Sequence, residues 1–179
     1  MDHLDALAER AQEGHQEAWE AFVVGSYDVV RRMCAAMVDR QSAEDLAQET
    51  FARSVAALAR FRGECPARAW ILSIAYRVCV DELRARTRRR RHQAEHARPG
   101  PPGRLAAPDI ADQVAVDDLI ARLEPDRRAA FVLTQMLGMS YDAAAAVCGC
   151  PTGTIRSRVA RARSDLVAMT GVEGVGRQA

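Results

Sequence analysis

The sequence predicts an all-α protein, built as two small helical domains joined by a flexible linker. Three observations predict it. Apolar residues recur at helical spacing through most of the 179 residues, and no stretch alternates apolar and polar residues as a half-buried strand would. One segment, residues 92–112, breaks the periodicity with Arg98-Pro-Gly-Pro-Pro-Gly103 and Pro108, a composition that favours extended chain. Further on, Ser140–Leu166 reads as two helices closed on a glycine turn, which is the helix-turn-helix pattern. The expected division is therefore 1–91, a linker over 92–112, and 113–179.

In the first domain, Leu4, Leu7, Ala8 and Ala11 form a helical stripe over residues 4–12. A longer helix over 15–38 carries Trp19, Phe22, Val23, Val30, Met33 and Met37, with Gly25-Ser26 marking an irregularity. Ser42-Ala-Glu-Asp45 resembles a capping box, and its acids suit the positive end of a helix dipole. That helix runs to about Arg60, burying Ala47, Phe51, Val55 and Leu58 and turning Asp45, Gln48, Glu49 and Ala52 outward. Gly63 and Pro66 break the chain into a loop over Phe61–Pro66. From Ala67 to about Arg90 a long helix follows. It is apolar nearly all round at first and ends in six arginines among residues 84–91. Clustered arginines repel unless an anion neutralises them. A phosphate backbone would do so, and a solvated basic tail is the equal alternative.

The second domain opens with Val114, Val116, Leu119, Ile120 and Leu123 on a helix ending at Glu124-Pro125, then a helix from Asp126 to Leu137 closed by Gly138. Ser140 is placed to cap a short helix to Val147. Cys148-Gly-Cys150 is the turn, with Gly149 suited to left-handed backbone, and Pro151 lies in the first turn of the next helix. There Ile155, Val159, Ala162 and Leu166 make one apolar stripe, Ser157, Ala160 and Arg161 point the opposite way, and Arg156, Arg158 and Arg163 flank them. A small, arginine-edged face suits the DNA major groove, where Arg pairs bidentately with guanine and flanking arginines hold phosphates. The competing reading is a solvated Arg-rich helix.

All 25 basic residues are Arg and there is neither Lys nor Asn, which reflects GC-rich coding more than selection for Arg chemistry. Net charge is +1, but residues 83–104 hold eight Arg against one Glu, a local basic block of the kind nucleic-acid contacts need. The five cysteines are odd in number and scattered. Cys148-Gly-Cys150 lacks the CxxC spacing and a nearby His, so no metal site is expected. Without a secretory signal or an apolar run of membrane length, a reduced, cytoplasmic protein with no membrane insertion is expected.

These pieces occur in a recognisable order. Ser42-Ala-Glu-Asp-Leu-Ala-Gln-Glu-Thr-Phe51, then Phe61-Arg-Gly with Ala69-Trp-Ile-Leu-Ser-Ile-Ala75 and Asp81-Glu-Leu-Arg84, then Leu123-Glu-Pro-Asp-Arg127 and Cys150–Arg163, resemble extracytoplasmic-function (ECF, group 4) σ factors of the σ70 family over residues 15–167. The resemblance implies a bacterial RNA polymerase subunit that directs core polymerase to promoters, has no active site and no cofactor, and is controlled by an anti-σ factor. It implies that region 2 binds the β′ clamp through Asp45, Gln48 and Glu49. It further implies that the loop Phe61, Arg62, Gly63 and Glu64 helps hold a flipped −10 base, and that Arg84, Arg86, Arg88 and Arg89 track promoter phosphates. Region 4 would sit on the β flap and read the −35 element through Thr154, Arg156, Ser157, Arg158, Ala160 and Arg161. The chain departs from the family at Ala143–Ala146, where acidic or larger apolar residues are common, at Ala160, and at Tyr76-Arg77, where Asn is usual.

Two other classes compete. A stand-alone helix-turn-helix regulator would bind operators without polymerase, but would have no use for the Asp45-Leu-Ala-Gln-Glu49 face. A DNA recombinase would need a nucleophile with a base beside it, and Ser54 and Ser73 lie in apolar helical contexts with none evident.

Overall fold

A computed structural model describes residues 3–96 and 111–170. Among these, all regular structure is helical: α1 (His3–Gln12), α2 (Gln16–Met37), α3 (Ala43–Leu58), α4 (Ala67–His96), α5 (Ala111–Arg122), α6 (Pro125–Phe131), α7 (Tyr141–Cys148) and α8 (Thr152–Thr170). A π-helical turn, Val132–Met136, continues α6. The Pro-rich part of the expected linker lies outside the described residues. Its ends do not: α4 continues past Arg91 to His96, and α5 already begins at Ala111.

Helices α1–α4 form one bundle around α2, which packs on α1, α3 and α4. Apolar residues at helical spacing dictate this. Phe22, Val30, Met33 and Met37 of α2 and Ile71, Leu72 and Ala75 of α4 are fully buried. The irregularity expected at Gly25-Ser26 does not occur, and α2 is continuous. Ser26 is buried because its hydroxyl donates back to the Phe22 carbonyl at 2.6 Å. Gly25 has a packing reason instead, since a Cβ there would lie 3.2 Å from Leu4 Cδ2, so the glycine lets α1 approach.

Two expectations for α3 are corrected. Ser42 makes no side-chain cap; Asp39 accepts from the Ser42 backbone N–H at 2.8 Å instead. The nearest acidic residue upstream won over the capping box because the Ser42 hydroxyl is held by Arg86 of α4, at 2.6 Å. Val55 is 59% exposed, and the buried face runs through Ala43, Ala47, Thr50, Phe51 and Ser54. Thr50 and Ser54 can be buried because each hydroxyl donates to a carbonyl of its own helix, Leu46 and Phe51.

Helices α5–α8 form the second unit, with α8 packed on α6 and α7. Ser140 caps α7, accepting from the Ala143 N–H at 3.2 Å, so the cap forms without an acidic partner at position 143. Gly149 ends α7 in left-handed backbone at φ 64°, where a Cβ would be strained. The carbonyl of Pro151 accepts from Thr154 and Ile155, which places Pro151 one position ahead of its expected first-turn place.

The two units are docked, and their buried residues make one continuous apolar cluster. α4 packs on α7, and α2 meets α5, α6 and the π turn. Arg68 donates across to the Leu137 carbonyl at 3.0 Å, and Arg40 pairs with Asp117 at 2.6 Å. Arg128 is 6% exposed and donates to the carbonyls of Met37 at 2.7 Å, Leu123 at 3.1 Å and Ala121.

Arg128→Met keeps the apolar stem but strands those three carbonyls. We expect it to cost at least about 2 kcal/mol, because each buried unsatisfied group costs roughly 1–3 kcal/mol. Thermal melting would read this as a fall of roughly 2–4 °C per kcal/mol. Arg122→Met, which removes only an exposed i,i+4 pair with Asp118, is expected to stay within about 0.5 kcal/mol.

Candidate nucleic-acid interface

Three surfaces collect the candidate residues. The first is the outward side of α8. Burial of Ile155, Val159 and Ala162 fixes the helix phase, and that phase leaves Arg156, Ser157, Ala160 and Arg161 exposed. Thr154 is half-buried, and its carbonyl accepts from the Ser157 hydroxyl at 2.9 Å. The turn is tied from below, where Thr152 of α8 donates to Asp142 of α7 at 2.7 Å. Arg158 differs from its neighbours. It is half-buried, pairs with Asp126 of α6 and reaches the Cys150 sulfur at 3.6 Å. Its guanidinium is therefore committed to the fold. Arg163 donates to Gln135 at 2.7 Å.

Beneath that turn lies Tyr76 of α4. Burial, with smaller contributions from Cys148 and Asp126, pushes its hydroxyl up to about 12. Burial likewise pushes the Cys148 thiol up to about 12. Both groups are neutral packing elements. The Tyr76-Arg77 departure from the family pattern thus splits, with Tyr76 packed toward the helix-turn-helix and Arg77 exposed.

The second surface is the basic end of α4 with the loop before it. Arg84 and Arg88 are exposed. Arg86 is not a free cation. It donates to Glu82 at 2.7 Å, to Asp39 at 2.5 Å and to the Ser42 hydroxyl, while Arg89 pairs with the same Glu82 at 2.8 Å. Hydrogen bonding from Arg86 holds Glu82 below its ordinary value, with Arg89 adding to the effect against the burial. Burial opposes ionisation of Asp39, but the Ser42 N–H and Arg86 outweigh it and hold that carboxyl low as well. Arg86 thus departs from the expected phosphate-gripping set, because Glu82 of its own helix and Asp39 from the turn after α2 already neutralise it. Sequence reasoning missed Arg77. It lies two turns before Arg84 and shares its face, since 7, 11 and 14 residues of helix bring Arg84, Arg88 and Arg91 back to nearly the same direction. All four are exposed.

In the loop, Phe61 is 7% exposed and its ring lies 5.0 Å from that of Trp70. Trp70 in turn is 6.0 Å from Phe22, which stacks on Trp19 at 5.5 Å. Phe61 is therefore an anchor, and Arg62, Gly63 and Glu64 after it are exposed. An open groove of about 550 Å³ is lined by Ala59, Arg60, Phe61, Arg62, Glu64, Cys65 and Trp70.

The third surface is on α3. Asp45, Gln48 and Glu49 are exposed on one side. Glu49 holds Arg53 at 2.7 Å, and Arg53 also reaches Asp81 of α4 at 2.9 Å. Val55, together with Ala52 and Ala56, extends this side as an exposed apolar strip.

Family models for "Sigma-70 region 2" match residues 22–89 and for "Sigma-70, region 4" match residues 113–166. The ECF RNA polymerase sigma factor SigC of Mycobacterium tuberculosis is 47% identical over 167 residues, covering 92% of this chain and 90% of that protein. The RNA polymerase sigma-H factor of Pseudomonas aeruginosa is 32% identical over 174 residues, covering 88% of each. Among solved structures, CnrH in complex with the cytosolic domain of CnrY superposes with a TM-score of 0.73 at 26% identity, covering 97% of this chain and 100% of that one. The sigma factor RpoE of Bartonella quintana, in complex with the anti-sigma factor NepR, superposes with a TM-score of 0.71 at 27% identity, covering 87% and 98%.

The division of the arginines is testable without DNA. Arg86→Gln is expected to destabilise the chain by about 1–3 kcal/mol at neutral pH, as loss of hydrogen bonds to charged groups does, whereas Arg88→Gln leaves melting unchanged. Both carboxyl groups held by Arg86 have lowered folded values, so this stability is present above their ordinary range and is lost as pH falls through the folded values. The gap between wild type and Arg86→Gln, followed by thermal melting, therefore closes below about pH 4.

Proposed function

Given that this chain belongs to the σ70 family of RNA polymerase initiation factors, in its ECF branch, we propose that its three surfaces divide the work of promoter recognition. Residues 1–91 engage the β′ clamp and open the −10 element, residues 92–112 connect, and residues 113–179 sit on the β flap and read the −35 element. The exposed side of α8 enters the major groove. Arg161 and Ser157 face base edges there, Ala160 gives the close approach that a small residue permits, and Arg156 meets the phosphates. Arg158 supports the helix through Asp126, and Thr154 closes its first turn.

In region 2, Arg62, Gly63 and Glu64 form the rim that receives a −10 base turned out of its stack, with Phe61 behind them. Arg84 and Arg88, with Arg77 on the same face, follow the phosphate backbone, and Arg86 and Arg89 hold that part of α4 in place. Asp45, Gln48 and Glu49 of α3 meet the clamp. The chain acts by binding, in the cytoplasm where the polymerase is, and carries no chemical step of its own. An anti-σ factor controls it, by analogy with the RpoE–NepR complex, whose σ factor shares this fold. The observation that carries the reading is the phase of α8: its three buried apolar residues leave Arg156, Ser157, Ala160 and Arg161 turned outward together.

Two experiments test it. Arg161→Ala is expected to lose about 1–3 kcal/mol of discrimination among −35 variants, whereas Arg156→Ala weakens all promoters alike and lowers the salt slope by about one. Holoenzyme binding to a panel of −35 sequences separates the two, and a sequence-neutral Arg161→Ala would overturn the assignment of the base-reading face. Asp45→Ala combined with Gln48→Ala is expected to preserve helix content and melting but to abolish assembly with core polymerase. Two weak DNA-binding modules need the common mount to act at high effective concentration. Tight, specific promoter binding by the isolated chain, indifferent to this double change, would point to an operator-binding regulator.

A further inference from the structure

Helix α1 precedes the residues matched by the region 2 model, and none of the three surfaces includes it. Its side chains nevertheless reach both ends of the loop between α3 and α4. At the near end, the Gln12 side-chain amide donates to the Leu58 carbonyl at 2.7 Å and to the Phe61 carbonyl. At the far end, Asp5 accepts from the Ala67 backbone N–H at 2.7 Å, in the first turn of α4. The two contacts span 46 to 62 residues of sequence, so they are tertiary ties and not local turn chemistry.

We propose that Gln12 and Asp5 are positioning residues for the −10 loop: one helix fastens the loop at both ends and presets its shape before DNA arrives. The inference rests on the reading of Arg62, Gly63 and Glu64 as the −10 base rim. Between its fastened ends the loop needs help to hold one shape. Gly63 has φ 67°, and Arg62, Gly63, Glu64 and Pro66 are all exposed, so few contacts of the loop's own order its rim. Fixing the two termini removes conformational freedom that binding would otherwise have to remove, and preorganisation of this kind appears as affinity. The inside of the loop is fixed separately by Phe61 on Trp70. The outer ties of α1 and this inner ring contact together leave only the exposed rim to adapt. α1 is itself well seated: Leu7 and Ala8 are buried, and Gly25 admits Leu4 against α2.

The test uses holoenzyme assembled with full-length Gln12→Glu, which keeps the size of the side chain but removes the N–H donor and turns a carboxylate toward two carbonyls. Gln12→Ala removes the donor without adding charge and must behave alike. The readout is affinity for a single-stranded −10 oligonucleotide carrying a fluorescent base, beside affinity for a −35 duplex and assembly with core polymerase. We expect about a 25-fold loss of −10 binding, since two hydrogen bonds worth about fivefold each are given up, with −35 binding and core assembly unchanged. Asp5→Asn retains an acceptor for the Ala67 N–H and should keep −10 binding, while Asp5→Ala should lose it. Arg62→Ala serves as the control for the rim itself. If Arg62→Ala weakens −10 binding and the Gln12 variants do not, the tether is wrong and the rim stands. If neither weakens it, the rim reading fails and takes the tether with it. Uniform loss of −10 binding, −35 binding and core assembly in both Gln12 variants would show a general structural role and overturn the proposal.

Discussion

A guanidinium stays charged inside a protein, and burying one without a carboxylate is costly. The arrangement of the two helical units depends on a residue that does this. Arg128 lies on α6 of the second unit, and burial pulls its guanidinium below the ordinary value, with Glu124 working against the pull. Three carbonyls carry its charge. One of them, that of Met37, belongs to the last turn of α2, where the helix dipole is negative. The Nε of Arg128 and the Nε of Arg68 on the opposite side of the contact are buried and find no hydrogen-bond partner. The docking is thus directional and well specified, but it holds two buried N–H groups that water would otherwise satisfy.

The same accounting separates the remaining arginines. With no Lys in the chain, every cation is a fork of donors, and the acids nearby decide its use. Arg86 is enclosed by Asp39, Glu82 and Ser42, and Arg158 is taken by Asp126. Arg84, Arg88, Arg156 and Arg161 are left exposed. Abundance of Arg therefore does not translate into an equally broad basic surface. Those four fall on one face of α4 and on the outward side of α8.

Much of this was legible in the sequence because it is local. Helical spacing placed α1, α2 and α5 within a few residues of their ends, Ser140 and Gly149 delimited α7, and the stripe Ile155–Val159–Ala162 fixed the orientation of α8. What was not legible depends on partners distant in sequence. The capping-box pattern at Ser42 lost because Asp39 and Arg86 converge on that residue from a turn and from a helix 44 residues away. Val55 was expected inside from its hydrophobicity, but the short residues Thr50 and Ser54 took the buried side once their hydroxyls were satisfied within the helix. Nothing in the spacing of Asp5 or Gln12 showed that α1 would reach the loop after α3.

The overrun of α4 has a metric consequence. A residue in helix advances the chain by about 1.5 Å, against about 3.3 Å when extended. Seven of the 21 residues expected to connect the units are helical, at 92–96 and 111–112. Fourteen remain between His96 and Ala111, and these bridge at most roughly 50 Å, where the full stretch would have bridged about 70 Å. The chain therefore acts as a ruler with a fixed upper mark. It sets a ceiling on how far apart the facing ends of α4 and α5 can lie, and each further turn of helix at either end would lower that ceiling.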